Sequence, residues 1–557
     1  MSPLHLPLCF ALALTPQEGA SEEPVASPAP RLMVLISVDQ LIPEQLERLG
    51  PYMKGGLGRM VRDGAIFERA ELPYARTETG AGHATLSTGC LPRSHGVVGN
   101  EFWDRITEKR MYCVEDSEAS LVTGDGIVDG AGRRSPKTIL RPTLGEILQR
   151  LDPEAKVASI SGKDRSAIGM CGSSRGLALW WDKSRSAGFV TSTTYTTVLP
   201  PVVTDFNGTW IDRLKAEPWV DSSPVDLVGG DHGVWGTAPD DRPGERPLGR
   251  AGITFPYEVP EDLPEAKLGT YAYSTPAVDG YVGIMGGRLV EDMGLGKDEH
   301  TDLLALSFSG CDVVGHANGP YSREVTDLLF RLDRSLGALF QSLDESVGRG
   351  RWVAALTADH GVLPLPEHVV ASGSSARRVA GKEVTAMRAA IRARMKDRLG
   401  AAVKERSGPG GYRIDAKSLA DSGVTLEVAR RTMAAIIRDL RVDFPWVDDA
   451  YSYDEIAGFG PDQMGVRRAL YNSFHPDRTI DVVVIKAPGV LVGNQKGTSH
   501  GSPHGYDRRI PLIFYGAGFP SGIDTRVAGS QDVVPTLLGG TGLKSGVVFD
   551  GRDLFPD

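Results

Sequence analysis

Four short apolar runs in the chain each end at polar residues. They lie at 32–38 before Asp39, 157–160 before Lys163, 303–308 before Asp312 and 352–356 before Asp359. Apolar runs of this length without alternation are typical of strands buried on both faces of a parallel sheet. Open α/β sheets bind their ligands at the carboxyl ends of such strands. The pattern therefore predicts an α/β fold with a mostly parallel central sheet, helices on both faces and a ligand site where the strands end.

Other patterns place further elements around this sheet. Leucines at three-and-four spacing over 325–343 predict an amphipathic helix that covers the sheet. Two more strands are predicted at 481–486 and 510–515, and a closing helix near 531–538. The stretch 195–295 is rich in Pro, Gly and Asp, and we interpret it as a long irregular insertion near the site.

A separate cap is predicted between the fourth strand and the last elements. Residues 366–478 contain two basic amphipathic patterns, near 385–399 and 425–440, on either side of a Gly/Pro turn at 407–411. We interpret 366–478 as an inserted helical cap whose Arg and Lys residues mostly face solvent. The core domain then comprises 31–365 and 479–557.

The N-terminus is typical of an export signal. An apolar run at 4–14 precedes the small residues at 19–21 and a Pro/Ala/Ser/Glu-rich stretch to Pro30. We interpret 1–21 as a signal peptide and 22–30 as a disordered tether, which predicts a periplasmic or secreted protein. Because the first residues include no Lys or Arg, a disordered cytosolic N-terminus is the alternative.

Composition excludes several classes of protein. The 557 residues have a formal net charge of −10, so the chain has no surplus of basic residues that would favour binding of a polyanion. We therefore expect no nucleic-acid partner. No apolar run is long enough for stable membrane insertion. We expect a soluble monomer.

Four cysteines lie outside the predicted signal peptide: Cys90, Cys113, Cys171 and Cys311. They allow two disulfides in an oxidising compartment but lack the CxxC spacing of a thiolate zinc site.

Two groups of Asp and His follow predicted strands. Asp312 and His316 are four residues apart after one strand, and Asp359 and His360 directly follow another. Carboxylate oxygen combined with imidazole nitrogen suits zinc better than magnesium, which prefers oxygen ligands. An Asp at a strand end also serves as a turn former, so each group alone is weak evidence.

With Asp39 and His500, the candidate ligands number six. Six ligands are enough for two metal ions, which in two-metal sites lie about 3.5–4 Å apart and clamp the attacking and leaving oxygens of a displacement. We therefore expect two Zn²⁺ per chain.

A loop of small residues at 77–89 leads into a helical pattern and contains Thr79. A threonine hydroxyl is a poor nucleophile at neutral pH, but a coordinated metal ion lowers its pKa. Free N–H groups at a helix start also favour a phosphoryl group. Thr79 is the candidate nucleophile, and a simple helix N-cap is the structural alternative.

Seven elements in order carry a resemblance to a known family. They are Asp39, Thr79, Asn100, Lys163-Asp164-Arg165, Asp312-x-x-x-His316, Asp359-His360-Gly361 and His500-Gly-Ser-Pro. From about residue 31 to the C-terminus, the chain resembles the phosphate-irrepressible alkaline phosphatases, in the type I phosphodiesterase/nucleotide pyrophosphatase branch of the alkaline phosphatase superfamily. The resemblance implies a three-layer sandwich and a zinc-dependent enzyme that releases phosphate from small-molecule phosphate monoesters through a phosphothreonine intermediate.

The resemblance also implies roles for the matching residues. One zinc site would consist of Asp312, His316 and His500. The other would consist of Asp39, Asp359 and His360, with Thr79 as the ligand that becomes the nucleophile. The implied catalytic residues that bind the substrate are Asn100, Lys163 and Arg165.

Substrate class depends on Asn100, Lys163 and Arg165. A monoester dianion carries more charge on its non-bridging oxygens than a diester does, so cationic donors favour monoesters. A surface turn would also explain the Lys-Asp-Arg sequence, which is common in proteins.

The segment at 499–507 leaves two candidates for the last zinc ligand. Phosphatase relatives place this ligand in HG(S/T)P, which selects His500, whereas diesterase relatives place it in HGYD, which would select His504. We predict His500.

Three competing interpretations follow. A nucleotide pyrophosphatase or phosphodiesterase is the nearest, because the HGYD sequence is present. A sulfatase needs a Cys or Ser nucleophile with Pro two positions and Arg four positions later, where this chain has Thr79, Ala81 and His83. A catalytically inactive binding protein on the same fold would be expected to have lost ligands, yet every candidate ligand is present.

Overall fold

The computed structural model describes residues 29–224, 240–248, 252–400, 402–408, 410–420, 422–493 and 495–556. The predicted signal peptide and residues 22–28 of the predicted tether lie outside these described residues.

The β-strands begin at residue 32. In chain order they are β1 (Leu32–Val38), β2 (Ala65–Ala70), β3 (Glu101–Asp104), β4 (Lys109–Tyr112), β5 (Leu121–Thr123), β6 (Gly126–Val128), β7 (Val157–Ser161), β8 (Leu177–Asp182), β9 (Gly188–Ser192), β10 (Asp302–Phe308), β11 (Trp352–Thr357), β12 (Arg377–Val379), β13 (Glu405–Gly408), β14 (Gly411–Ile414), β15 (Val447–Ser452), β16 (Val482–Lys486), β17 (Val490–Val492), β18 (Leu512–Tyr515) and β19 (Gly522–Ala528).

The α-helices lie between these strands. In chain order the described helices are α1 (Pro43–Leu49), α2 (Gly56–Asp63), α3 (Thr79–Thr88), α4 (Pro92–His95), α5 (Leu144–Leu151), α6 (Asp164–Cys171), α7 (Pro201–Asn207), α8 (Trp210–Ala216), α9 (Glu265–Tyr273), α10 (Ala277–Asp292), α11 (Gly310–Asn318), α12 (Arg323–Leu343), α13 (Pro366–Ala371), α14 (Gly381–Leu399), α15 (Leu426–Asp439), α16 (Tyr453–Ala457), α17 (Gly465–Ser473), α18 (Gly505–Arg508) and α19 (Val533–Gly540).

An 11-stranded sheet forms the centre of the molecule, in the order β19-β2-β18-β11-β1-β10-β7-β8-β9-β5-β6. The neighbouring strands β11, β1, β10, β7 and β8 are parallel, whereas β18 and β9 run antiparallel to β11 and β8 on the two sides. Every residue of β1 and β10 is buried, which requires cover on both faces of the sheet. The predicted α/β sandwich is confirmed, with a sheet that is parallel in the middle and mixed overall.

Helices cover the sheet in two groups. Helix α12 packs on α2 and α10, and α3 packs on α6. The helix predicted over 325–343 is confirmed as α12, and its leucine stripe is buried. Ser322 caps it, because the Ser322 side chain accepts a hydrogen bond from the N–H of Val325 at 3.2 Å.

The cap contains strands as well as helices. The two predicted helices are confirmed as α14 and α15, but β13, β14, β16 and β15 form a four-stranded sheet beside them. The prediction of a helical cap is corrected on this point. Strand β16 was predicted as part of the core domain, and it pairs with cap strands instead. The cap has its own core, which includes Met387, Ile391, Met433 and Ile437.

The predicted irregular insertion is partly helical. Helices α7, α8, α9 and α10 all lie within 195–295, and α10 is 16 residues long. Residues 225–239 and 249–251 of this stretch lie outside the described residues. Pro and Gly residues in the sequence suggested irregular backbone, but the helices bury enough apolar surface, including Trp210 and Tyr281, to override that tendency.

Cys90, Cys113, Cys171 and Cys311 are all buried free thiols, so the two disulfides that the sequence allowed do not form among the described cysteines. Within the described residues, no helix combines the length and apolar character needed to cross a membrane.

Helix α3 approaches the loop after β11 at Gly82. A Cβ atom added to Gly82 would lie 2.4 Å from the carbonyl oxygen of Asp359 and 2.7 Å from its Cβ. A Cβ added to Gly280, in α10, would meet nothing within 4 Å. The two helical glycines therefore differ in whether a methyl group fits.

Gly82→Ala should lower the free energy of unfolding by about 1–3 kcal/mol, because the methyl group pushes α3 away from Asp359. Gly280→Ala is the matched control and should leave stability unchanged or raise it by up to about 1 kcal/mol. Urea unfolding followed by tryptophan fluorescence measures both variants. Equal midpoints would contradict the close approach of α3 to Asp359.

Candidate active site

The carboxyl ends of four neighbouring parallel strands bring the predicted residues together. Strands β11, β1, β10 and β7 lie side by side, and Val38 pairs with Phe308 at the ends of β1 and β10. Asp39 follows β1 directly, Asp359 comes just after β11, and Asp312 lies in the first turn of α11 after β10. The in-register ends of separate strands therefore converge on one site.

Asp312, His316 and His500 form one ligand group, whose donor atoms all lie within 4.8 Å of one another. The Nε2 atoms of His316 and His500 are 3.2 Å and 3.7 Å from Oδ1 of Asp312. His504, the alternative ligand, is engaged elsewhere, because its Nε2 lies 2.7 Å from the carbonyl oxygen of Lys486. The structure thus brings His500, and not His504, to this group.

Asp39, Asp359 and His360 are fully buried beside the first group. Nε2 of His360 lies 3.3 Å from Oδ2 of Asp359, and neither atom has a hydrogen-bond partner among the described residues. The ring of His360 stacks on that of His500 with centroids 3.5 Å apart. The two ligand groups are therefore direct neighbours.

His83 also lies between Asp39 and Asp359, although it was not predicted as a ligand. Its Nε2 is 3.0 Å from Oγ of Ser307 and 3.3 Å from Oδ1 of Asp39, and its Nδ1 donates to the carbonyl oxygen of Thr79 at 2.9 Å. Both ring nitrogens of His83 therefore have partners, and its Nε2 helps to orient Asp39. His360 differs, because its Nε2 has no hydrogen-bond partner among the described residues. The sequence signal for His83 was its position four residues, or one helical turn, after Thr79.

The three predicted histidines share one tautomer. In each, Nδ1 donates to a backbone carbonyl: His316 to Thr498 at 2.8 Å, His360 to Gly361 at 3.0 Å and His500 to Thr77 at 2.7 Å. A carbonyl oxygen only accepts, so Nδ1 carries the proton and Nε2 offers a lone pair. Bonds of this kind orient histidines that bind metals. Together with the unpartnered atoms of Asp359 and His360, this donor set fits a metal ion at each group.

Burial and charge shift the pKa values of these ligands. Burial and the neighbouring Asp39 raise the pKa of Asp359 to about 7. Burial would also raise the pKa values of Asp39 and Asp312, but the ammonium of Lys163 holds both below their usual range. Burial lowers the pKa of His360 to about 4. His360 is therefore neutral near pH 7, which is the form that binds a metal ion.

Lys163 lies between the two groups. Its Nζ donates to Oδ2 of Asp39 at 2.9 Å and to Oδ2 of Asp312 at 2.6 Å. Burial would lower the pKa of Lys163, but these two carboxylates raise it above its usual value. The predicted substrate-binding lysine thus also compensates the negative charge of the ligand groups.

Thr79 is the first residue of α3 and is 1% exposed. The residue before it, Glu78, is the N-cap, so the structure does not support the alternative that Thr79 caps the helix. The Arg165 guanidinium donates to Oγ1 of Thr79 at 3.3 Å. Oδ1 of Asn100 accepts the N–H of Gly80 at 2.7 Å, which leaves the amide nitrogen of Asn100 to donate.

A network that the sequence did not reveal holds Arg165 in place. The Tyr112 hydroxyl donates to Asp164 at 2.6 Å and accepts from Arg165 at 3.3 Å. Arg134 donates to the other oxygen of Asp164 at 2.6 Å. Tyr112 and Arg134 belong to no recognisable motif, so only the fold identifies them.

Gln40 is a second residue that sequence reasoning missed. Its side-chain amide donates to Asp312 at 2.7 Å, and its backbone N–H donates to Asp359 at 3.1 Å. Its φ angle of 69° is uncommon for a residue other than glycine. Gln40 therefore holds one carboxylate of each ligand group from a strained backbone position.

A cavity of about 1180 Å³ lies between this site and the cap. Its wall includes Asn100, Arg165, His316 and His500 from the site, and the β13–β14 hairpin from the cap. The phosphate-binding candidates therefore open into a space that can hold a small molecule.

Comparison with known proteins defines the class of this chain. Residues 33–507 match the family model described as type I phosphodiesterase / nucleotide pyrophosphatase. Because this match spans most of the chain, the protein belongs to that family.

The relatives include named alkaline phosphatases. The chain is 31% identical over 520 residues to alkaline phosphatase PafA from Elizabethkingia meningoseptica, which covers 92% of this chain and 91% of that protein. It is 30% identical to alkaline phosphatase PhoK from Sphingomonas sp., with 92% and 88% covered. The crystal structure of PafA matches with a TM-score of 0.83 at 28% identity, covering 95% of this chain and 98% of that one. The predicted family resemblance and fold are confirmed, and the roles of individual residues stay predictions.

Proposed function

We propose that this chain is a periplasmic or secreted monomeric alkaline phosphatase that holds two Zn²⁺ and hydrolyses small-molecule phosphate monoesters through a phosphothreonine intermediate. The observation that carries the proposal is the position of the Thr79 hydroxyl. This hydroxyl is buried at the start of α3, the helix that packs against Asp359, and it receives a hydrogen bond from Arg165. The named activity of PafA and PhoK supports the same reaction.

Two residue groups would hold the metal ions. Their mixed oxygen and nitrogen donors favour zinc over magnesium. They are Asp312, His316 and His500 for one ion and Asp39, Asp359 and His360, with Thr79, for the other. When bound, zinc supplies Lewis-acid stabilisation of the attacking and leaving oxygens.

The residues of the chain perform the remaining tasks. Oγ1 of Thr79 attacks phosphorus as the bond from phosphorus to the alcohol oxygen breaks, and the proton lost by Thr79 balances the one that the leaving alcohol gains. Water then attacks the phosphorus of the phosphothreonine, which breaks its bond to Oγ1, releases inorganic phosphate and restores the Thr79 hydroxyl. Arg165 stabilises the negative charge that Thr79 carries after losing its proton, because a charged donor strengthens a hydrogen bond to oxygen. His83 holds the start of α3 through its bond to the carbonyl oxygen of Thr79.

The donors around Thr79 favour monoesters over diesters. Arg165 and the amide nitrogen of Asn100 line the cavity next to the nucleophile. A monoester offers them two negative charges, whereas a diester offers one and adds a bulky group. Discrimination is therefore expected to depend on Arg165 and Asn100.

Thr79→Ala should lower kcat by at least about a hundredfold, because it removes the nucleophile. Thr79→Ser keeps a hydroxyl and should retain measurable turnover. Initial rates on an aryl phosphate and zinc content by mass spectrometry measure both variants. A Thr79→Ala variant with more than about a hundredth of the wild-type rate would contradict the nucleophile role.

Arg165→Ala should lower kcat/KM for an aryl phosphate monoester about a hundredfold and for the matching methyl aryl diester by less than about tenfold, because the diester carries less charge. The control is Arg150→Ala, which removes an exposed arginine from α5. Lys163 is a poorer probe, since its loss would also leave Asp39 and Asp312 without their counter-charge. Equal losses on both substrates would count against monoester selectivity.

His500→Ala should reduce the zinc content by about one ion per chain, because Asp312 and His316 then lack their third ligand. His504→Ala is the matched control and should retain both ions, because its Nε2 is bonded to a backbone carbonyl. Inductively coupled plasma mass spectrometry of dialysed protein measures the content. Loss of an ion in the His504 variant alone would reverse the assignment.

A further inference from the structure

The part of the cavity wall that the cap supplies carries two arginines that the proposed reaction does not use. Arg406 and Arg413 lie directly opposite each other in the β13–β14 hairpin and both line the cavity. Tyr412 and Ile414 belong to the core of the cap, and Tyr412 also borders the cavity. Like charges at opposed strand positions destabilise a hairpin. The pair therefore costs stability that an anion between the two side chains would offset.

The other arginines of this wall have partners. Arg76 pairs with Glu78 at 2.9 Å, Arg110 pairs with Glu101, and Arg478 donates to the carbonyl oxygen of Gly96 at 2.6 Å. Arg406 and Arg413 have no carboxylate partner within the part of the chain that the structure describes. The whole chain has a net charge of −10, so this uncompensated pair is not part of a general basic surplus.

The hairpin lines the same cavity as Asn100 and Arg165. The Arg413 guanidinium lies 3.4 Å from the ring centroid of Trp103, on β3, which starts directly after Asn100. At the turn, a Cβ on Gly410 would lie 3.9 Å from Nε of Arg76. Arg165 donates to the Thr79 hydroxyl and also lines this cavity, so a substrate phosphate held at Thr79 would have its alcohol portion in the same cavity as the hairpin.

We propose that Arg406 and Arg413 bind a second phosphate group on the alcohol portion of the substrate. Two opposed guanidinium groups offer paired donors that match the oxygens and the double charge of a phosphate. The preferred substrates would then be bisphosphorylated small molecules. This inference rests on the proposed phosphatase function and specifies its substrate class.

Matched substrates test the proposal. Propane-1,3-diol and hexane-1,6-diol provide a short and a long alcohol, each as monophosphate and as bisphosphate. A bisphosphate has a statistical advantage because either of its two equivalent phosphates can react. After correction for that advantage, the wild-type kcat/KM for at least one diol should be about tenfold higher for the bisphosphate than for the monophosphate. The double variant Arg406→Ala with Arg413→Ala should lose this preference and keep the wild-type rate on the monophosphates.

Two further variants separate binding from folding. Arg394→Ala with Arg398→Ala removes the same charge from α14, where both side chains pair with exposed carboxylates, and should keep the preference. Arg406→Ala alone leaves the stack of Arg413 on Trp103 in place and should lose most of the preference. This single variant decides the question if the double variant does not fold.

The contrary outcomes are distinct. Wild-type enzyme that hydrolyses the monophosphates but shows no bisphosphate preference would overturn this inference alone, as would a preference that survives in the Arg406 variants. The compound 4-(phosphonooxy)butanoate carries a carboxylate where the bisphosphate has its second phosphate. An equal gain in kcat/KM with this compound would show that Arg406 and Arg413 bind a carboxylate, and would overturn the choice of phosphate. No hydrolysis of any phosphate would overturn the proposed function as well.

Discussion

The burial of three carboxylates at the ends of neighbouring strands is the constraint on which the site depends. Asp39, Asp312 and Asp359 are each at most 4% exposed. An ionised carboxylate in such a position is unstable without a counter-charge. Lys163 provides part of that charge, and His360 next to Asp359 keeps an Nε2 without a hydrogen-bond partner among the described residues. Divalent cations bound between these side chains would supply the remaining positive charge.

Packing around this charge cluster positions the hydroxyl of Thr79, the proposed nucleophile. Thr79 begins a helix that approaches Asp359 at a distance that only glycine at position 82 allows. The network of Tyr112 and Asp164 then aims Arg165 at Thr79. The α/β core therefore holds the candidate catalytic residues, while the cap supplies the part of the cavity wall that includes Arg406 and Arg413.

The buried strands and the ligand groups were predictable, because continuous apolar runs and fixed Asp/His spacings are local patterns. The position of Lys163 between two carboxylates was not, since it depends on the register of three strands. The left-handed backbone of Gln40 leaves no trace in composition. Strand β16 was assigned to the core domain because its apolar run resembles a core strand, and only its pairing with β14 and β15 places it in the cap.

Anomalous X-ray diffraction at the zinc edge, on crystals of the zinc-loaded protein, would locate the bound metal ions relative to Thr79. We expect two peaks. One should be bounded by Asp312, His316 and His500, and the other by Asp39, Asp359, His360 and the hydroxyl of Thr79. A single peak, or peaks away from the Thr79 oxygen, would contradict this expectation.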